Sequence, residues 1–272
     1  MKYFSKIYLV LIFGILYIPI LTLILFSFNS ANSTALFEGF SLRWYVELFN
    51  SPDTFEALRN TLILAVLSSL IATVIGTAAA EGIYKMRSKL LKGAITSVTN
   101  VPMMNPDIVT GMSMMLFFVA VAAILGVTYE DMGFFAMLIS HVTFCLPYVI
   151  LSVLPRINEL GDSLSEAALD LGCTPIQAFF KVKLPNIMPG VLSGMVMAFT
   201  MSLDDFVISY FVGSSNFQTL PLLIYSMTKK KVTPDMYALS TLIVVTIFIL
   251  LIISNIKSGK KVSGNKKARA RK

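Results

Sequence analysis

The sequence predicts an all-α membrane protein with six transmembrane helices. Of its 272 residues, 56% are hydrophobic and only 14% are charged, whereas soluble domains carry about 25% charged residues. The apolar residues are gathered in stretches of roughly 20, the length that a helix needs to cross the hydrocarbon core of a bilayer. A membrane-spanning barrel would need alternating segments of about 10 residues instead, and the sequence contains none.

The predicted spans follow one another in chain order as 7–29, 60–84, 97–125, 133–154, 186–213 and 236–256. The first follows Lys2 and Lys6, and its apolar core is longer than that of a cleaved signal peptide, so we expect a retained helix. Before the last span, FQTLPLLIYSM (217–227) is apolar but too short to cross. This length predicts a re-entrant or interfacial segment.

The basic residues predict the orientation of the chain. Seventeen of the 22 Lys and Arg lie in the N-terminal segment, the 85–96 loop, the 155–185 segment and the tail 257–272. Five lie in the other connections, and the run Lys229 to Lys231 is the one group that opposes the trend. Because cytoplasmic loops are enriched in Lys and Arg, both termini are predicted to be cytoplasmic. The sequence is therefore a single transmembrane domain over 1–256 with a basic tail suited to anionic lipid rather than to nucleic acid.

The sequence carries no pattern for catalysis or metal binding. Cys145 and Cys173 lack the spacing of a metal site or a redox pair, and His141 is the only histidine. Phosphate-binding loops, nucleophile elbows and zinc-protease motifs are also absent from the sequence. The chain is predicted not to be an enzyme, so energy for any active process must come from another chain.

Residues 163–185, SLSEAALDLGCTPIQAFFKVKLP, predict a helical hairpin between the fourth and fifth spans. Ser163 and Glu166 match a capping box at the start of a first helix, and Gly172 suits the left-handed residue that ends one. A connection of about 30 residues exceeds the roughly 2–8 of an ordinary connector. This length favours a docking surface for a cytoplasmic partner, with a helix resting on the membrane surface as the alternative.

The second half of this segment predicts a second helix. Thr174 and Gln177 match another capping box, with Pro175 at the first helical position, where a missing N–H is harmless. An apolar stripe follows, and Leu184-Pro185 is predicted to stop the helix.

The hairpin resembles the EAA loop of ABC-importer permease subunits. EAALDLG at 166–172 carries the resemblance, together with Leu184-Pro185 twelve residues after Gly172; Val182 stands where the family usually has Ile. The resemblance implies coupling helices that insert into a cleft on an ATP-hydrolysing subunit. The residues to which it assigns this coupling are Glu166, Ala167, Ala168, Asp170, Gly172, Phe179, Leu184 and Pro185.

Further segments resemble the permease subunits of spermidine/putrescine importers. They are NPDIVTG (105–111), SHVTFCLPYVI (140–150), LPNIMPG (184–190), SLDDFVISYFV (202–212) and TLPLLIYSM (219–227). The resemblance implies the type I ABC-importer fold, a place in a bacterial cytoplasmic membrane and one half of a heterodimeric pore. It also implies a second permease, two ATP-binding subunits and an extracytoplasmic polyamine-binding protein as partners. No cofactor is expected in this chain, because ATP and Mg would be bound by the partner ATPase.

Carboxylates inside the spans predict a path for cations. A charged side chain at mid-membrane costs about 2.5–3.5 kcal/mol, so it needs a cavity or a partner. Asp204 and Asp205 lie in the fifth span, and Asp107 follows Pro102 and Pro106, which favour a helix break. Acids on a watery path attract cations, and a polyamine suits acids placed among aromatics. The predicted substrate pathway consists of Asp107, Asp204, Asp205, Tyr148, Phe206 and Tyr210.

Several alternatives to these assignments stay open. Asp107 could simply cap a resumed helix, and the adjacent acids could serve helix packing. Glu81, four residues before Lys85, is predicted to form an ion pair with it rather than to line the path. The other functions considered are a permease of the same type for a different small solute, and a secondary cation transporter, which would more often show inverted repeats.

Overall fold

The computed structural model describes residues 2–31, 36–214, 217–229, 236–246 and 248, with side chains from residue 6 onward. Apart from one isolated bridge between Asn29 and Phe40, the regular structure in these ranges is helical. The helices are α1 (Lys2–Phe26), α2 (Arg43–Asn50), α3 (Pro52–Lys85), α4 (Lys89–Met104), α5 (Asp107–Leu125), α6 (Gly133–Leu160), α7 (Ser163–Asp170), α8 (Pro175–Ala178), α9 (Leu184–Leu203), α10 (Val207–Val212), α11 (Leu220–Thr228) and α12 (Met236–Thr246). A 3₁₀ turn, Tyr129–Met132, precedes α6, and a π-helical segment, Phe179–Lys183, joins α8 to α9.

The all-α membrane class is confirmed. Five stretches of the described residues are long and apolar enough to cross a bilayer, and they are Lys6–Phe26, Pro52–Lys85, Asp107–Leu125, Tyr129–Leu160 and Pro175–Leu203. The sixth predicted span is represented by α12, which is shorter because most of the second half of 236–256 lies outside the described residues. The tail 257–272 lies outside them too.

The third predicted span is two helices. The break occurs at Pro106, whereas Pro102 lies inside α4: α4 ends at Met104, and α5 begins at Asp107, after Asn105 and Pro106 in non-helical conformation. The N–H of Asn105 still donates to the Val101 carbonyl, so the α4 helix closes normally before the break. The break that the sequence favours within 97–125 is therefore present, because a proline at 106 cannot donate to the turn before it.

The fifth predicted span is also interrupted. The prediction of one helix over 186–213 is wrong, since α9 ends at Leu203 and α10 starts at Val207. The carboxylate of Asp205 accepts hydrogen bonds from the N–H groups of Ile208 and Ser209. An Asp side chain that binds the first N–H groups of a helix starts a new one, and this starts α10.

The hairpin is confirmed in part. Helix α7 begins at Ser163, but the residue before its first turn is Asp162 and no side chain caps it, so the predicted Ser163–Glu166 capping box is wrong. The Thr174–Gln177 capping box with Pro175 at the first position is confirmed. Gly172 has φ +86°, the left-handed conformation that the sequence predicts.

The predicted helix stop at Leu184-Pro185 is wrong as well. The chain stays helical through it, because the π-helical segment lets the N–H of Leu184 donate to the carbonyl of Phe179. Pro185 then lies in the first turn of α9, where its missing N–H breaks no internal hydrogen bond.

The described residues form two compact units, divided at Leu58–Arg59 and again at Thr219–Leu220. The unit from residue 59 to 219 has its core where α6 packs along α9. Gly190 and Gly194 allow this contact, since an added Cβ would lie 2.9 Å from the Ser152 carbonyl and 3.1 Å from the Val149 Cα, respectively. Small residues permit such close helix approach in membranes. In the other unit, Leu48 and Ala57 pack with Leu220, Leu223 and Leu239.

Candidate functional site

The two helix breaks come together through α5 and α10. A Cβ added to Gly111 of α5 would lie 3.0 Å from the Phe211 ring and 3.4 Å from the Val207 carbonyl, so the two backbones are in close contact. Asp107 stands in the first turn of α5, and Asp204 and Asp205 directly precede α10. All three predicted pathway acids therefore lie at the starts of two neighbouring interrupted helices, an arrangement tolerated in membranes only against protein or a watery cavity.

Asp205 is buried, and its carboxylate is bonded to groups of the same chain. Besides the N–H groups of α10, its carboxylate accepts a 3.0 Å hydrogen bond from the Ser209 hydroxyl and lies 3.5 Å from His141 Nε2. Its side chain is only 6% exposed. The predicted lining role of Asp205 stays a prediction, and the geometry supplies a second role, in which this carboxylate fixes the start of α10.

His141 links Asp205 to two other helices. Its Nδ1 lies 2.7 Å from the Ser202 hydroxyl, which accepts a 2.9 Å hydrogen bond from the Ser68 hydroxyl of α3. The Nε2 lies 3.3 Å from the Ser209 hydroxyl. This buried polar network joins α3, α6, α9 and α10. Sequence reasoning missed it, although a lone His in an apolar span next to Ser140 was a usable signal.

The remaining pathway residues lie at the outside of the chain. Asp107 and Asp204 are exposed, as is Tyr210, whereas Tyr148 and Phe206 are half-buried. The Phe206 and Tyr210 rings lie 5.6 Å apart between centroids. Because exposed carboxylates in spanning segments avoid lipid, this face suits a polar path or a partner chain.

The hairpin presents an apolar tip. Ala168 and Ala178 are buried, while Leu171 on one side of the turn is 87% exposed and Ile176 on the other is 72% exposed. Phe180 is exposed as well. Exposed large apolar groups mark a surface that binds another protein or a membrane, so the tip fits both roles that the sequence left open for the hairpin.

The other predicted coupling residues are distributed along the hairpin and the start of α9. Glu166, Ala167 and Asp170 are exposed along α7, Phe179 is half-buried, and Leu184 with Pro185 forms the first turn of α9. Gly172 lies at the turn with no neighbouring side chain within 4 Å of an added Cβ. The glycine is therefore required by backbone conformation and not by space.

An ion pair holds the base of the hairpin. Lys183 Nζ lies 2.9 Å from Glu81 Oε1 and 2.8 Å from Oε2. Lys85 also pairs with Glu81, at 3.1 Å, which confirms the predicted i,i+4 pair. Lys183 is 3% exposed and Lys85 is 64% exposed, so the partner that the sequence did not predict is the buried one. No sequence signal connects residues 102 positions apart.

Among the described residues, no three His, Cys, Asp or Glu side chains are placed to hold a metal ion. Two free cysteines are present in this part of the chain, Cys145 buried and Cys173 partly exposed.

Comparisons with known proteins match both the sequence and the fold. The family model described as binding-protein-dependent transport system inner membrane component matches residues 72–257. The chain is 38% identical over 254 residues to the spermidine/putrescine transport system permease protein PotC of Escherichia coli (strain K12), with 93% of each chain covered. It is 39% identical over 235 residues to the putrescine transport system permease protein PotI of the same strain, covering 86% of this chain and 83% of that one.

Among solved structures, a chain of a bacterial ABC transporter involved in the import of the acidic polysaccharide alginate has the same fold. It superposes with a TM-score of 0.76 at 17% identity and covers 95% of each chain. At that identity the match speaks for the fold alone.

Proposed function

The chain belongs to the family of binding-protein-dependent transport system inner membrane components, and on this premise we propose that it forms half of the membrane pathway of an ATP-driven polyamine importer. It is a multi-pass membrane protein with the helical fold of an ABC transporter membrane subunit. The observation that carries the substrate assignment is the placement of Asp107 and Asp204, exposed at two adjacent helix breaks. Two carboxylates on one face would attract a molecule with several ammonium groups.

The aromatic residues beside these acids suit the rest of such a molecule. Phe206 and Tyr210 lie at the break before and within α10, Tyr148 is half-buried in α6, and ring faces bind both ammonium groups and the methylene chain between them. Asp205 would act through α10, whose first turn it holds in place. The relatives named for spermidine and putrescine transport support this substrate class; a permease for another small solute is the competing assignment.

The partners follow from the same proposal. The second half of the pathway would come from another permease subunit, and two ATP-binding subunits would bind ATP and Mg and contact the hairpin 163–185. Leu171, Ile176 and Phe180 offer the apolar surface for that contact. A polyamine-binding protein would deliver substrate from the outside. The basic residue distribution supports cytoplasmic termini in a bacterial inner membrane.

The proposal is tested by uptake in a reconstituted complex. The chain, a second permease, the ATP-binding subunits and the binding protein are placed in proteoliposomes containing ATP, and uptake of labelled spermidine and putrescine is followed. We expect ATP-dependent uptake that unlabelled polyamine competes away and that unlabelled amino acids or sugars do not. If labelled polyamines are not taken up in the presence of ATP, while a labelled amino acid or sugar is, the polyamine assignment is rejected.

A further inference from the structure

The C-terminal end of the hairpin is bound to the last turns of a single helix, α3. Lys183, at the end of the π-helical segment, pairs with Glu81 of α3 at 2.8 Å. Its Nζ also lies over the Tyr84 ring, 4.4 Å from the ring centroid. At the other end, Asp162 directly precedes α7. The C-terminal end of the hairpin is thus tied to the last turns of α3.

The Lys183–Glu81 ion pair at this base is buried, whereas the comparable Arg156–Glu159 pair is exposed to solvent. The side chains of Lys183 and Glu81 are 3% and 12% exposed, whereas the Arg156–Glu159 pair at the end of α6 has 52% and 65% exposure at a similar distance of 2.9 Å. A surface pair contributes little to holding two elements together. Replacing Glu81 would leave the buried charge of Lys183 uncompensated, so this pair holds its two elements to each other far more strictly than a surface pair does.

The same helix also reaches the helix break near the predicted pathway. Ser68 of α3 donates to Ser202 in the last turn of α9, which contacts His141 and stands three residues before Asp205. Glu81 and Ser68 are about 20 Å apart along α3 at 1.5 Å per residue. Helix α3 is therefore bonded to the hairpin at one end and to the end of α9 further along.

We propose that Glu81, Tyr84 and Lys183 form a clamp that makes the coupling hairpin and α3 move as one body during transport. These are positioning residues, since none of them contacts the exposed acids of the predicted pathway. A hairpin displaced by its ATPase partner would carry α3 with it through the clamp. The bond from Ser68 to Ser202 then connects that movement to the start of α10. This inference rests on the proposed function, because it presupposes an ATPase bound to the hairpin.

The clamp is tested in the reconstituted complex with Glu81→Gln and Lys183→Met. Both the uptake of labelled polyamine and the hydrolysis of ATP are measured, and their ratio gives the coupling. We expect the variants to assemble with the ATPase and hydrolyse ATP, but to import about tenfold fewer molecules per ATP. A loss of this size is typical when a single contact that couples two sites is removed. Glu159→Gln is the matched control, because it removes an exposed pair at the same end of the unit, and it should keep the wild-type ratio.

Two further variants separate positioning from folding. The charge reversal Glu81→Lys with Lys183→Glu should regain coupling relative to either single reversal, which a loss of fold would not allow. Tyr84→Leu removes the ring and the hydroxyl without burying a charge, so the complex should assemble with a coupling ratio between those of wild type and Lys183→Met. The clamp is rejected if the single variants import as many molecules per ATP as wild type. It is also rejected if Tyr84→Leu is fully coupled while the reversal rescues nothing.

ATP hydrolysis by the wild-type complex distinguishes an error in the clamp proposal from an error in the proposed function. If polyamine-loaded binding protein does not stimulate ATP hydrolysis by the wild-type complex, the proposed substrate is wrong. If it does stimulate hydrolysis and the clamp variants import as many molecules per ATP as wild type, the proposed function is supported and the clamp is rejected.

Discussion

Asp204 and Asp205 are consecutive residues with opposite surroundings. Asp204 is exposed at the end of α9, while Asp205 is buried against His141 and bonded to the first N–H groups of α10. Adjacent helical positions point about 100° apart, and the break between α9 and α10 separates the two side chains further. Removing the charge of Asp204 should therefore have a different effect on the protein from removing the charge of Asp205.

Asp204→Asn should reduce transport and leave the fold intact. The substitution removes an exposed charge that would attract the substrate, so we expect polyamine uptake to fall by about tenfold, an effect of roughly 1.4 kcal/mol. Thermal unfolding of the purified complex should be unchanged. Glu56→Gln, which neutralises an exposed carboxylate near the start of α3, is the control and should transport normally. Normal uptake by Asp204→Asn would argue that this acid does not line the pathway.

Asp205→Asn should act on stability. The amide has one acceptor oxygen where the carboxylate has two, so it cannot accept from both Ile208 and Ser209 at once. The bonds that remain lose their charge assistance. We expect a cost of about 1–3 kcal/mol, measured as a lower unfolding midpoint of the purified permease pair. A variant with the wild-type midpoint and reduced uptake would instead assign Asp205 to the pathway itself.

At the scale of elements, local chemistry decides what the sequence can predict. The Gly172 turn and the Thr174–Gln177 capping box were predictable because their partners lie within three residues. The start of α10 was not, since an Asp inside an apolar run predicts a buried acid as readily as a helix cap. The helical path through Pro185 was also missed, because the π-helical turn that accommodates it leaves no mark on hydrophobic periodicity.

Gly172→Ala should impair coupling through the shape of the hairpin. At φ +86° a Cβ costs about 1–2 kcal/mol, so the turn between α7 and α8 should relax and misalign Leu171 with Ile176. We expect assembly with the ATPase to weaken and stimulation of hydrolysis by loaded binding protein to fall. Gly93→Ala in α4, which meets no atom within 4 Å and has no positive φ, is the matched control and should be neutral or slightly stabilising. If both variants behave alike, the left-handed turn is not needed for coupling.

At the scale of the whole molecule, the composition is sufficient to predict the class of protein but not the contacts between distant residues. Long apolar stretches and the EAALDLG motif predict a helical permease subunit, and family and fold bear this out. The bonds that join distant parts of the unit, such as Lys183 to Glu81 and His141 to Ser202, link residues 102 and 61 positions apart. Each is one polar pair among many possible ones, so only the packed structure selects it.

The orientation in the membrane is a prediction of the same scale, and the native cysteines can test it. Cys173 lies partly exposed in the hairpin, while Cys145 is buried inside α6 and should not react. A membrane-impermeant maleimide should therefore label inverted membrane vesicles and spare intact cells, because the hairpin is predicted to be cytoplasmic. Cys173→Ser should abolish the labelling. If the ATPase binds the hairpin, adding the ATPase to inverted vesicles stripped of peripheral proteins should also slow the labelling of Cys173. Labelling of intact cells would place the hairpin outside and exclude its contact with an ATP-hydrolysing subunit.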